Sequence, residues 1–188
     1  MAYARRNTSE DIRANRAWTA DAAADLASIP AKHGDLAFED TNNLWYIWNG
    51  TGWESIGVIY GTWSPNIAFA SGSIGVTYSV QTGTYAKIGR QVVAQGSITL
   101  SASGSSTGVA EINNLPFASA NTTSVGGVIL SQAANLVGLT GTPSGRIDSN
   151  DTSFSLFQWG ATGTTALDDT NFSNTSQLVF TVVYLTEA

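Results

Sequence analysis

From Gln91 to Ser101 apolar and polar positions alternate along the chain. Val92, Ala94, Gly96, Ile98 and Leu100 fall on one side, and Gln91, Gln95, Ser97, Thr99 and Ser101 on the other, with only Val93 out of pattern. A period of two predicts a strand with one face on a core and one in water. Tyr85–Ile88 predicts a strand just before it, joined by a tight connection at Gly89-Arg90. A Ser/Gly loop, Ser103–Gly108, follows. Val109, Glu111 and Asn113 then alternate with Ala110, Ile112 and Asn114 in a third short strand, stopped by Leu115-Pro116-Phe117.

The same pattern fills residues 61–188. Further strands are predicted at Trp63–Phe69, Gly75–Val80, Ser124–Leu130, Asn135–Leu139, Gly145–Asp148, Ser153–Trp159 and Gln177–Thr186. Short strands with turn signals every 8–12 residues predict a jelly-roll-like antiparallel β-sandwich, hence an all-β chain. The last strand is apolar almost throughout, from Leu178 to Leu185. Either it is central, or its outer face meets another subunit.

Residues 34–57 predict a small three-stranded β-meander of Leu36–Glu39, Leu44–Trp48 and Trp53–Ile56, with an Asn49-Gly50 hairpin signal. Leu44–Trp48 is apolar on both faces, which so small a sheet cannot cover by itself. A second copy of the chain is the favoured cover, ahead of the following domain or a docking surface. Residues 1–33 carry Arg5, Arg6, Arg13 and Arg16 against Glu10 and Asp11. A short helix is expected after Asn7 or Thr8, and a helical turn capped by Thr19 over Ala20–Leu26. Neither has an apolar face wide enough to stand alone, which leaves two readings: a frayed tail, or an arm ordered against a partner.

Charge changes the picture near Tyr60-Gly61. Residues 1–60 hold five basic and eight acidic side chains, and residues 61–188 only three and six. The net charge of −6 argues against nucleic-acid binding, which needs a basic face. No apolar run approaches the ~20 residues that span a bilayer, so no membrane insertion is expected. The N-terminus lacks the apolar core of a signal peptide, so synthesis in the cytoplasm is expected. Cysteine is absent, and no disulfide or thiolate metal site is available.

Several of these residues carry a resemblance. The order Gly61-x-Trp63-x-Pro65, then Tyr78, Gln81, Gly83, Tyr85 and Lys87-Ile88-Gly89, the long strand, Gly104–Gly108 and Leu115-Pro116-Phe117 resembles the C-terminal domain of tailed-bacteriophage fibre and head-decoration proteins. Gly34–Phe38 with Trp48–Trp53 resembles the small β-meander that often precedes such domains in phage virion proteins. The resemblance implies a trimeric β-sandwich knob on the virion surface, attached through its N-terminal part. Some members decorate capsids and others bind receptors. The chain lacks a long repetitive shaft, which favours a decoration protein or knob seated directly on the particle.

Contacts to the particle and between copies are accordingly expected from Arg5, Arg6, Arg13, Arg16, Trp45, Tyr46, Ile47, Trp48 and Trp53. The expected partners are two further copies of the chain, other virion proteins and a host-surface glycan. Phe157, Trp159 and Phe172, near loops rich in Asn, Asp and Thr, are the candidates for facing that glycan, against the commoner role of large aromatics in packing. No enzyme is expected. Asp148 with Asp151, and Asp168 with Asp169, are the close carboxylate pairs of residues 61–188, but they lie in loops where acids usually cap turns. His33 has no second His and no Cys to share a metal, and Asp148–Thr152 lacks the glycine and distal Glu of an EF-hand. No cofactor is expected.

Overall fold

The structure, a computed structural model, describes residues 17–122 and 126–187. It is almost wholly β, and the chain divides into two compact units between Ile59 and Tyr60.

The first unit is built on a four-stranded sheet in the order β1 (Ala17–Ala20), β2 (Leu36–Glu39), β3 (Leu44–Trp48), β4 (Trp53–Ser55). The meander is antiparallel, and β1 adds to it parallel to β2. Here the structure departs from the expected arm. Thr19 caps no helix: it lies in β1, and the helical turn that follows is a 3₁₀ segment, Ala23–Ser28. The reason is tertiary. Trp18 and Ala20 on β1, with Leu26 and Ile29, enter a small core under Ala37, and that burial outweighs the helix propensity of an alanine-rich stretch. The expected helix after Asn7 or Thr8, and Arg5, Arg6, Arg13 and Arg16, lie outside the described residues.

The second unit is one large sheet, entered through β5 (Val58–Trp63). Its remaining strands are β6 (Asn66–Phe69), β7 (Val76–Ile88), β8 (Gln91–Ser103), β9 (Ala110–Asn113), β10 (Gly126–Ala134), β11 (Thr142–Arg146), β12 (Phe154–Gly160), β13 (Gly163–Ala166) and β14 (Gln177–Leu185). The spatial order is β5-β7-β8-β14-β10-β11-β12-β9-β6, with β13 also paired to β12. The first and last strands of this path are neighbours in sequence, separated only by Ser64-Pro65, so the sheet curls back towards itself. Side chains bridge the two ends. Tyr78 Oη on β7 donates to Asn66 Oδ1 (2.8 Å) and accepts from Ile67 N (2.9 Å), and Gln81 Nε2 donates to Pro65 O (2.9 Å). Burial pushes the Tyr78 phenol above its ordinary pKa, partly offset by the Ile67 amide.

The curled sheet encloses one apolar core. Val92, Ala94, Ile98 and Leu100 of β8 all point into it, as their alternation requires. β14 is central, between β8 and β10, and buries Leu178, Phe180, Val182 and Tyr184, while Val183 and Leu185 stay exposed on its outer side. Four predicted elements differ. Trp63–Phe69 is broken in two at Ser64-Pro65, where proline has no amide to donate. Gly75–Val80 and Tyr85–Ile88 are one 13-residue strand with register shifts beside Tyr78. Asn135–Leu139 forms no strand, and β13 was not expected.

Candidate functional site

The outer face of β12 displays Ser155, Phe157 and Trp159, because Phe154, Leu156 and Gln158 alternate inward. Register with the flanking strands arranges three ranks across this face. Thr142, Trp159 and Thr164 form one, Ser144, Phe157 and Ala166 the next, and Arg146, Ser155 and Glu111 the third. A cleft of about 560 Å³ lies over part of this face, lined among others by Val109, Arg146, Phe157, Trp159 and Thr164. That volume is in the range of small-ligand clefts, about 300–1,000 Å³. The Phe157 and Trp159 rings meet edge to face with centroids 5.6 Å apart, and Trp159 remains 56% exposed. Arg146 Nε sits 3.1 Å from Asp148 Oδ1, a planar donor held beside an acceptor.

No family model matches the chain, and no curated protein matches it. Among solved structures, the Dettilon tailspike protein is similar, with a TM-score of 0.59 at 21% identity. The match covers 68% of this chain but 23% of the tailspike, so the chain spans less than a quarter of that protein's length. At this identity the likeness is one of fold.

Phe157 and Trp159 thus share one cleft. Phe172 does not join them: it is buried, its ring centroid 5.4 Å from that of Phe69, and belongs to the core of the second unit. In the first unit the five expected contact residues divide between two faces. Tyr46, Trp48 and Trp53 share the face that carries Ala37. There Tyr46 and Trp53 pack on the small core, and Trp53 Nε1 donates to Leu26 O at 2.9 Å. Burial, then the nearby Glu39 carboxylate, raises the Tyr46 pKa. On that face the chain itself thus covers part of Tyr46 and Trp53. Trp45 and Ile47 lie on the opposite face with Leu36 and Phe38, and the Trp45 and Phe38 rings are 5.1 Å apart.

The loop acids accept hydrogen bonds, Asp151 and Asp168 locally and Asp169 from a distant loop. Asp151 Oδ1 accepts from Ser153 N and Oγ, Asp168 Oδ1 from Thr170 N, and Asp169 Oδ1 from Gly108 N. Among the described residues no three His, Cys, Asp or Glu side chains group as a metal site, and no helix is long and apolar enough to cross a membrane. Sequence reasoning missed Arg146, Thr142, Ser144 and Thr164. Thr142, Ser144 and Arg146 lie on β11 and Thr164 on β13, and strand register sets Thr142 and Thr164 opposite Trp159, Ser144 opposite Phe157 and Arg146 opposite Ser155.

Proposed function

We propose that this chain is a surface protein of a tailed-bacteriophage particle. It acts as a homotrimer, its N-terminal part forming the anchor and the second unit an exposed, jelly-roll-like knob. The observation that carries this reading is the likeness of fold to a tailspike over 68% of the chain, added to the sequence resemblance of residues 33–117 to phage virion domains. The work of such a protein is burial. The apolar face of Leu36, Phe38, Trp45 and Ile47 is the surface shared between copies, and Arg5, Arg6, Arg13 and Arg16 contact the particle. No chemical step is assigned to it, in keeping with loop acids that bond backbone amides, Asp151 and Asp168 within their own turns and Asp169 across to Gly108.

A second reading, a receptor-binding module of the tail, is favoured by the cleft on β12. An exposed Trp beside a Phe, hydroxyls and an Arg–Asp pair suits a carbohydrate surface. The two readings share fold and trimer and differ in where the working surface lies. Mass spectrometry of gradient-purified particles tests the common part. Peptides of the chain should be found in stoichiometric amount. Their absence from clean particles contradicts the proposal.

A further inference from the structure

We propose that the β12 cleft is a subsite for a neutral pyranose unit of a host-surface glycan. This rests on the receptor-binding reading and names the ligand class it would take. Three observations lead to it. The first is shape: an open cleft of about 560 Å³ with the Trp159 ring on its wall, more than half exposed and propped edge-on by Phe157. A pyranose presents one apolar face of C–H groups, and a fixed indole is a matching surface that costs little ordering entropy.

The second is the polar set. Thr142 and Thr164 flank Trp159 on either side, and Ser144 and Ser155 carry hydroxyls further along β11 and β12; of these, Thr164 and Ser155 line the cleft itself. Hydroxyls both donate and accept, as the hydroxyls of a sugar do. The third is charge. Arg146 is the cation lining the cleft, and Asp148 offsets it at 3.1 Å. Glu111 stands opposite Ser155 in the same rank as Arg146. The local sum of these three groups is −1, on a chain whose net charge is −6. With the lining cation offset by Asp148, a uronic or sialic acid gains no net attraction here. Vicinal neutral hydroxyls instead find a planar guanidinium donor and a carboxylate acceptor side by side on the exposed surface.

The test uses the full chain and immobilised polysaccharides: dextran, mannan and galactan as neutral probes, alginate and polysialic acid as acidic ones. Retention by at least one neutral probe is expected, and none by the acidic probes. Trp159→Ala should lower the affinity at least about tenfold, and Trp159→Tyr, which keeps an aromatic face, should restore most of it. Arg146→Lys, which keeps the charge and loses the planar fork, should also weaken retention. Ile88→Ser, at the exposed end of the β7–β8 hairpin, should leave it unchanged. Retention by no neutral probe, stronger retention by the acidic probes, or equal retention by Trp159→Ala overturns the subsite. Its failure is separable from failure of the virion reading. A protein found on particles but blind to the neutral probes fails here alone, and one that binds them but is missing from particles fails only there.

Discussion

Tyr184 Oη donates to Phe117 O at 3.0 Å and accepts from Phe117 N at 3.2 Å, closing both backbone groups of one loop residue with one buried hydroxyl. Tyr184 lies on central strand β14 and Phe117 in the segment after β9, so the pair ties a loop to the middle of the sheet. Phe117 is held further by Tyr85, edge to face at 5.3 Å, and by the Lys87 ammonium 5.6 Å from its ring centroid.

Burial raises the Tyr184 pKa to about 12, against 10.0 in the open chain, with the Phe117 amide partly opposing. The neutral phenol is thus the form that folding favours. Its contribution is full below pH 10 and is lost as pH rises towards 12, at most roughly 3 kcal/mol across that window. Urea titrations between pH 9 and 12 should show the decline. Tyr184→Phe should cost about 1–2 kcal/mol at pH 7 and flatten it. An unchanged slope in that variant would assign the pH dependence elsewhere.

Gly83 and Gly96 face each other across β7 and β8. A Cβ at Gly96 would lie 2.5 Å from the Phe180 ring, and one at Gly83 would run into the Trp63 indole. Both rings are anchored. Trp63 Nε1 donates to Gln95 O at 2.9 Å, and Phe180 packs on Phe154 at 5.3 Å. Gly96→Ala should therefore destabilise the second unit by about 1–3 kcal/mol through overpacking. Thermal unfolding measures it, and a variant as stable as the parent would mean that the two rings can shift.

The two faces of β3 predict opposite phenotypes. Trp45→Ser removes an exposed ring from the face proposed to be shared between copies. It should lower trimer content at dilute protein, read by sedimentation velocity, with the circular dichroism unchanged. Trp48→Ala removes the ring that meets Trp53 at 5.6 Å. It should loosen the first unit by roughly 1 kcal/mol and increase proteolysis within residues 17–59.

An apolar face shared between copies, as proposed, would also make stability depend on assembly. The melting temperature should rise with protein concentration. A value independent of concentration over a hundredfold range would place the trimer contacts outside the cooperative unit, or remove them.

Much of the fold is legible in the chain. The alternation of Gln91–Ser101 places each inward residue of β8 correctly, because a half-buried strand has a strict period of two. Leu36–Glu39 and Leu44–Trp48 fall where the sequence predicts, bracketed by turn residues. Trp18 was hidden, because no local pattern shows that β1 pairs parallel with a strand about twenty residues away. Glu39 is fully buried and accepts from Asn42 N and Nδ2, a satisfied acid that composition cannot distinguish from a surface one. Of the cleft, Phe157 and Trp159 are visible as aromatics two apart on one strand. Phe172 is equally apolar and equally near Asn and Thr, yet belongs to the core, since the 3₁₀ turn at Asp169–Asn171 leads it inward against Phe69.

The most direct test of the central claim is the position of the chain on intact particles, by gold-labelled antibody and copy counting in electron microscopy. The account predicts label on the virion surface in multiples of three. A few copies at the tail would select the receptor-binding reading and the β12 cleft, and many spread over the head would select decoration. Unlabelled particles, with the protein confined to the lysate, would contradict the account.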